Sequence, residues 1–217
     1  FDPCLSCSTH AVGAMPLSRA RWLPETIARF IAAHPGIDVA VHEGSHAELV
    51  GPLRDGEIDL MLGALREGAR AEDLEQEALF EDRPALVMRA GHPLLTATDP
   101  AKAMFAYPWL LPGAETPLRR YWQDMVRTLG RDVPHVQVEC GSVMMIRQLL
   151  LGSDALTLLS PGQVSVELDA GVLAAMPTPV PVARTIGITT RSGWRPTAAQ
   201  ADFLALLRAV GREQAQG

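Results

Sequence analysis

The chain has 217 residues, of which 47% are hydrophobic and 20% are charged, and its formal net charge at pH 7 is −6. This balance is typical of a globular protein with one large domain or two small ones. The negative charge argues against nucleic-acid binding by this chain, and no apolar run reaches the roughly 18 residues of a membrane-spanning helix.

The first half of the chain alternates short apolar strands with amphipathic helices. In chain order the predicted elements are a strand at 12–14, a helix through 23–31, a strand at 37–42, a helix at 46–54 and a strand at 59–63. This β-α-β-α-β order makes a parallel sheet, because strand–helix–strand crossovers are right-handed. Two further strands are predicted at 74–80 and 85–88.

The same alternation then starts again. The predicted elements are a strand at 109–111, a helix at 118–129, a strand at 136–139, a helix at 143–151, a strand at 155–159, a short helix at 163–169, a strand at 185–190 and a helix at 198–210. In the last helix Phe203, Leu206, Leu207 and Val210 are predicted to face inward. The Pro-rich run Pro177–Pro181 is interpreted as an extended connection back to the first half.

The two repeats predict an α/β protein with two Rossmann-like lobes, each with a mixed sheet, joined by two crossover strands. Lobe I comprises residues 11–89 and 184–217, and lobe II comprises residues 90–183. Residues 1–10 show no periodicity and are left unassigned as a tag-like terminus. Two such lobes are expected to enclose a cleft lined by strand carboxyl ends and helix amino ends, where small neutral or anionic molecules bind.

Metal and cofactor chemistry finds little support in the sequence. The chain has three cysteines, an odd number that fits a reducing, cytoplasmic compartment better than a disulfide framework. Cys4 and Cys7 form a C-x-x-C without the context of a redox or zinc site. His42 to His46 spells H-E-x-x-H, but the first histidine ends a predicted strand, so the two rings would not share a helical face. We predict no metal and no cofactor.

Several short motifs occur in a fixed order and spacing. They are Val12-Gly13-Ala14, Leu23-Pro24, His34-Pro35-Gly36-Ile37, Leu53-Arg54-Asp55-Gly56-Glu57-Ile58-Asp59-Leu60 and Gly91-His92-Pro93-Leu94. Over about residues 11–215 this order resembles the effector-binding domain of LysR-type transcriptional regulators. Residues 113–120 and 138–160 resemble the subgroup with regulators of sugar uptake and protocatechuate breakdown.

The resemblance implies a type 2 periplasmic-binding-protein fold that binds a small metabolite between its lobes. Members of this family act as tetramers on promoter DNA through a winged helix-turn-helix, which is absent here, so DNA would be contacted only through that missing N-terminal domain. The chain is then a cytoplasmic regulatory half and not an enzyme, because the expected cleft offers few acids or bases.

Four segments at strand ends are expected to line the cleft, and Pro161 adds a wall. The candidate ligand-binding residues are Met15, Pro16, Leu17, Ser18, Gly63, Ala64, Leu65, Glu115, Thr116, Gly141, Ser142, Val143 and Pro161. Ser18, Thr116 and Ser142 are also good helix N-caps, which is their alternative role. Ser18 and Ser142 are expected to face each other. Ala64 stands near the position where some family members place an arginine for a carboxylate.

Partner predictions follow from composition and resemblance. With 5% aromatic residues and no evident cationic clamp, the expected effector is a sugar acid or a hydroxylated or aromatic carboxylate. Arg119 and Arg120 are interpreted as a solvated helical face. The helix Val143–Leu151 is apolar nearly all round, so we predict a homodimer through it and the helix Trp22–Ala33, with burial inside one lobe as the alternative.

Two other functions share the predicted fold. One is an exported solute-binding receptor of an uptake system, which would need a signal peptide. The other is an enzyme of the deaminase or dehydratase kind, which would need titratable groups converging in the cleft. Neither membrane insertion nor a membrane partner is predicted.

Overall fold

The computed structural model describes residues 9–66 and 72–214, and within them the chain divides into two compact units. Unit 1 extends to Asp82 and resumes at Arg184, and unit 2 is Arg83–Ala183. The predicted C-x-x-C at Cys4 and Cys7 lies outside the described residues. Among the helices in the described part of the chain, none combines the length and apolar character needed to cross a membrane.

Unit 1 begins with alternating strands and helices, as the sequence predicts. Its elements are β1 (Thr9–Ala14), α1 (Trp22–Ala33), β2 (Asp38–Glu43), α2 (His46–Asp55), β3 (Leu60–Ala64) and β4 (Leu74–Asp82). β1 pairs in parallel with β2 and with β3.

Unit 2 repeats this pattern with shorter strands. Its elements are β5 (Ala85–Arg89), α3 (Pro100–Ala103), β6 (Trp109–Leu111), α4 (Pro117–Thr128), β7 (Val138–Glu139), α5 (Val143–Leu151), β8 (Leu156–Leu159), α6 (Ser165–Asp169) and β9 (Leu173–Met176). Short 3-10 turns occur at Pro93–Thr96, Met104–Ala106 and Pro161–Val164. The chain then returns to unit 1 with β10 (Arg184–Arg191) and α7 (Ala198–Gln214).

Each unit contains one five-stranded mixed sheet, and the two sheets have equivalent strand orders. The order is β2-β1-β3-β10-β4 in unit 1 and β7-β6-β8-β5-β9 in unit 2. In each sheet three strands are parallel, and the last two are antiparallel to their neighbours. β10 and β5, the strands that follow the two passages of the chain between units, occupy the same place in their sheets. The predicted α/β class with two mixed sheets is confirmed.

The predicted boundary between the lobes needs a correction. Placing lobe I up to residue 89 puts the strand Ala85–Arg89 in the first lobe, whereas β5 pairs with β8 and β9 of unit 2. The division therefore falls between Asp82 and Arg83. A strand that crosses between domains carries no local signal of the sheet it joins, because its partners are remote in sequence.

Apolar side chains from helices and sheet form a separate core in each unit. In unit 1, α1 and α7 pack together through Trp22, Phe30 and Phe203, and the Trp22 indole N–H donates to the Leu207 carbonyl at 2.9 Å. In α7 the buried leucines are Leu204 and Leu207, while the predicted Leu206 is only partly buried.

Unit 2 has its largest core around Trp109 and Trp122, whose rings lie 5.4 Å apart. Helix α5 buries Ile146 and Leu150 in this unit, and Val143 and Leu149 pack partly against the same core. Met144 is 74% exposed, Met145 51% and Leu151 41%. The alternative that α5 is buried within its own lobe on several sides is therefore wrong.

Candidate functional site

All the predicted ligand-binding residues lie at or just after the carboxyl ends of parallel strands. In unit 1 they follow β1 and end β3, and in unit 2 they follow β6, β7 and β8. The carboxyl ends of neighbouring parallel strands meet at one edge of a sheet, and ligands of open α/β sheets bind at this edge. Each unit therefore assembles its own share of the predicted residues.

The segment Met15–Ser18 forms a turn rather than the start of a helix. The Met15 side chain packs against Leu49 and Met61 in a small core beneath α2. Ser18 is fully buried, and its hydroxyl donates to the Met15 carbonyl at 2.8 Å. The prediction that Ser18 caps the first helix is wrong: α1 begins at Trp22, and Arg21 precedes it without a side-chain cap. The Ser18 N–H donates to the Met15 carbonyl and the Ala20 N–H donates to the Leu17 carbonyl, so the chain turns before α1 begins.

Gly63 is required by close packing at the end of β3. Its φ is +151°, and a Cβ on Gly63 would lie 2.7 Å from Met15 Cβ. Leu65 donates its backbone N–H to Thr185 at 2.9 Å, which fixes the segment to β10. The backbone of Gly63–Leu65 thus forms part of the strand-end edge of unit 1. The side chains of Ala64 and Leu65 are partly exposed there.

Charged groups at this edge of unit 1 were missed by sequence reasoning. Arg19 pairs with Glu43, the last residue of β2, and Arg66 directly follows Leu65. Burial lowers the pKa of His46, and the positive charges of Arg66 and Arg54 lower it further. His46 is therefore neutral at pH 7. The signal for Arg66 was its position one residue beyond a predicted ligand segment.

The start of α4 in unit 2 matches the prediction. Thr116 is the N-cap, Pro117 is the first helical residue, and the Thr116 hydroxyl accepts from the Arg119 backbone N–H at 3.3 Å. The same hydroxyl donates its hydrogen to the Gly113 carbonyl at 2.8 Å. Both interactions are internal, so Thr116 mainly shapes the loop, and the neighbouring Glu115 is exposed.

Ser142 caps α5, as predicted. Its hydroxyl accepts from the Met145 backbone N–H at 3.3 Å, and its own N–H donates to the Cys140 sulfur at 3.4 Å. Gly141 and Ser142 are exposed and Val143 is partly exposed. The exposed amino end of α5, with its partial positive charge, suits an anionic or hydrogen-bonding group.

Arg119 differs from its predicted place on a solvated helical face. Its side chain is only 12% exposed, and its guanidinium lies over the Trp122 ring, 5.4 Å from the ring centre. Arg119 precedes Trp122 by three residues, so both project from one side of α4. That spacing was the signal that the sequence reasoning overlooked. Arg120 is exposed, as predicted.

Pro161 borders a different feature of unit 2. It begins the 3-10 turn after β8 and lines a cavity of about 630 Å³ together with segments 83–85, 175–178 and 181–183. Cavities that bind small molecules range from about 300 to 1,000 Å³. Of the predicted ligand-binding residues, Pro161 is the one that lines this cavity.

The H-E-x-x-H pattern does not form a helical metal site. His42 lies in β2 and His46 is the first residue of α2, with Ser45 as the cap between them. Residues 9–66 and 72–214 contain no group of three or more His, Cys, Asp or Glu side chains placed to hold a metal ion.

Comparison with known proteins gives one family. The LysR substrate binding domain family model matches residues 7–212 of the chain. The chain is also similar to the HTH-type transcriptional regulator GalR of Pseudomonas putida, with 38% identity over 205 residues, which cover 94% of this chain and 52% of that protein. The chain thus spans about half the length of this relative.

Solved structures show the same fold. The cofactor-binding domain of the Cbl transcriptional regulator aligns with a TM-score of 0.81 at 17% identity, covering 97% of this chain and 93% of that one. The regulatory domain of Synechocystis CcmR in complex with 2-PG aligns with a TM-score of 0.77 at 19% identity, covering 94% and 98%. The fold is type 2 periplasmic-binding-like.

Proposed function

The chain belongs to the LysR substrate-binding domain family, and on this premise we propose that it senses a small-molecule effector for a cytoplasmic transcriptional regulator. The observation that carries this proposal is the repeated edge described above, where three parallel strands in each unit end beside polar groups and helix amino ends. DNA contact and assembly into a tetramer would belong to the whole protein.

We propose that the effector is contacted by strand-end segments of the chain. In unit 1 these are Met15–Leu17 and Gly63–Leu65, and in unit 2 they are Glu115–Thr116 and Gly141–Val143. Ser18 contributes indirectly, because its buried hydroxyl donates to the Met15 carbonyl and holds that segment in place. Pro161, which follows β8, is proposed to border the unit 2 segments.

The effector class that the charges favour is a hydroxylated or aromatic carboxylate or a sugar acid. Arginines stand at the strand-end edge of each unit, namely Arg19 and Arg66 in unit 1 and Arg119 in unit 2. Guanidinium groups and helix amino ends both favour anions. The domain of CcmR, which shares the fold, is described in complex with 2-PG.

A thermal-shift screen tests this function. We expect at least one carboxylate among sugar acids and hydroxybenzoates to raise the melting temperature with concentration, because a ligand that binds only the native state stabilises it. A hundredfold excess over Kd adds about 2.7 kcal/mol to the free energy of unfolding. A complete panel without any concentration-dependent shift would contradict the proposed effector class.

We also propose that the domain forms a homodimer through the helices Trp22–Ala33 and Val143–Leu151. Each carries large apolar side chains that its own chain leaves exposed: Ile31 is 49% exposed on α1, and Met144 and Met145 are 74% and 51% exposed on α5. Exposed apolar patches are typical of interaction surfaces.

Met144→Glu is expected to weaken this dimer about tenfold or more, because it places a charge in an apolar interface, each tenfold step in Kd corresponding to about 1.4 kcal/mol. Sedimentation equilibrium measures the dissociation constant of the dimer. Val166→Glu is the matched control, since Val166 is 71% exposed on the neighbouring α6 and outside both helices. Equal weakening by both variants, or a wild-type chain that stays monomeric at high concentration, would refute the interface.

A further inference from the structure

Arg119 is a largely buried cation, and few of its guanidinium N–H groups have a hydrogen-bond acceptor. Its Nη1 donates to the Pro112 carbonyl at a long 3.3 Å. Its Nε is shielded from solvent and has no acceptor. The paired carboxylate oxygen, Glu139 Oε2, lies 3.8 Å from Nη1, beyond hydrogen-bond distance.

Arg184, whose side chain is only 10% exposed, has a closer partner, since its Nε donates to Asp82 at 2.6 Å. Even Arg208, whose side chain is 41% exposed, makes two hydrogen bonds to Glu77 at 2.7 and 2.8 Å. Burying a charge is costly unless it is paired and hydrogen-bonded. Arg119 therefore lacks the bidentate anion partner that guanidinium groups normally find when shielded from water.

The place where such a partner would bind is the predicted strand-end edge of unit 2. Glu139 ends β7 directly before Cys140, Gly141 and Ser142, and its Oε1 lies 3.5 Å from the position of a Cβ on Gly113. The Glu139 side chain is 58% exposed. Its carboxylate can therefore move away from Arg119 without disturbing the core of the unit.

Unit 1 contains a pair in the equivalent place. Arg19 lies between β1 and α1 and donates to Glu43, which ends β2. The strand orders make β1 and β2 the counterparts of β6 and β7. The Arg19–Glu43 pair is hydrogen-bonded, whereas the Arg119–Glu139 pair is not. Of these two arginines, Arg119 therefore has N–H groups available for an external anion.

We propose that Arg119 is the anion-recognising residue of the site and that Glu139 is its internal stand-in. This inference rests on the proposed effector-binding function and assigns the effector a carboxylate. An incoming carboxylate replaces Glu139 as the partner of the guanidinium and makes the hydrogen bonds that Glu139 does not. Glu139 thereby neutralises Arg119 when no effector is bound and lowers the affinity for every anion by competing with it.

Calorimetric titration with two matched probe pairs tests this assignment. The pairs are 4-hydroxybenzoate with 4-hydroxybenzamide, and D-gluconate with D-glucitol, where each neutral partner lacks the carboxylate. In the wild-type chain we expect a carboxylate to bind more tightly than its neutral partner. Arg119→Gln should weaken carboxylate binding at least tenfold and leave neutral probes unaffected.

Two further variants make the test specific. Glu139→Gln removes the competing charge from an exposed position, so it should fold normally and tighten carboxylate binding several-fold. Arg120→Gln removes the same charge from the adjacent exposed residue and should change affinity less than twofold. Melting curves confirm that each variant is folded.

Different results would contradict the role of Arg119 and the effector-binding function itself. If Arg119→Gln and Glu139→Gln bind a carboxylate as Arg120→Gln does, the assignment of Arg119 is wrong while effector binding stands. If a neutral probe binds as tightly as its carboxylate, the anionic class is wrong. If none of the four probes binds and the wider screen also fails, the proposed function is contradicted as well.

Discussion

Replacing Gly187 with alanine is expected to cost about 4 kcal/mol or more of folding free energy, at the extreme of what single substitutions do. Gly187 lies in β10, between β3 and β4, where the register with β4 shifts. A Cβ at this position would lie 1.9 Å from the Glu77 carbonyl oxygen and 2.9 Å from the Glu77 carbonyl carbon. Both are backbone atoms of the paired strand, so the sheet itself would have to move.

Thermal unfolding measures this effect. For a chain of this size 1 kcal/mol corresponds to about 2–4 °C, so we expect the melting temperature to fall by about 10 °C or more. Gly51→Ala is the matched control, because a Cβ on Gly51 meets nothing within 4 Å and Gly51 lies inside α2. That variant should be neutral or stabilised by up to about 1 kcal/mol. A melting temperature of Gly187→Ala equal to that of the wild-type chain would show that β10 and β4 are not packed closely enough at Gly187 to exclude a Cβ.

Breaking the ion pair of Asp82 and Arg184 is expected to have the second-largest effect. The two residues end β4 and begin β10, where the chain leaves unit 1 and returns to it. Their side chains are only 7% and 10% exposed, and Arg184 Nε donates to Asp82 at 2.6 Å. Asp82→Asn leaves the Arg184 charge shielded without its anion, which costs about 3–5 kcal/mol.

Urea unfolding of both single variants and of the double variant Asp82→Asn, Arg184→Gln measures the interaction energy of the pair. The double variant should be less destabilised than the sum of the singles, because no unpaired charge remains. Asp73→Asn is the control, since the Arg54–Asp73 pair is 46% and 53% exposed and contributes at most about 1 kcal/mol. An Asp82→Asn cost no larger than that of Asp73→Asn would contradict the account of this pair.

Local patterns in the sequence predicted most elements of the fold. The spacing of Leu118, Trp122, Met125 and Val126 predicted α4, and these four side chains are its buried residues. The caps Thr116 and Ser142 were also predictable, because a cap is formed by residues three apart in the chain. Such features need only short-range information.

Features that depend on distant partners were not predictable. The strand Leu173–Met176 was missed because it is short and lacks clear alternation of buried and exposed residues. The prediction of a Ser18 cap failed because the chain forms a hydrogen-bonded turn at Met15–Ser18 and α1 begins only at Trp22. The assignment of Ala85–Arg89 to the first lobe failed because its partner strands come some 70 to 90 residues later.

The candidate site was predictable in position but not in chemistry. Sequence order placed its segments at strand ends, and hydroxyl groups were expected to bind the ligand. In the structure the Ser18 and Thr116 hydroxyls are used internally, and the charged pairs at Arg19–Glu43 and Arg119–Glu139 stand at the two edges instead. Pairing between side chains about 20 residues apart cannot be read from local periodicity.

The central claim is that the strand-end segments contact a small carboxylate effector. Hydrogen exchange measured by mass spectrometry, with and without saturating 4-hydroxybenzoate or the carboxylate that the screen selects, tests it most directly. We predict slower exchange at the strand-end segments 15–18, 63–65, 115–119 and 139–145. Unchanged exchange at these segments, or slowing confined to the cavity segments 83–85 and 175–183, would contradict this claim.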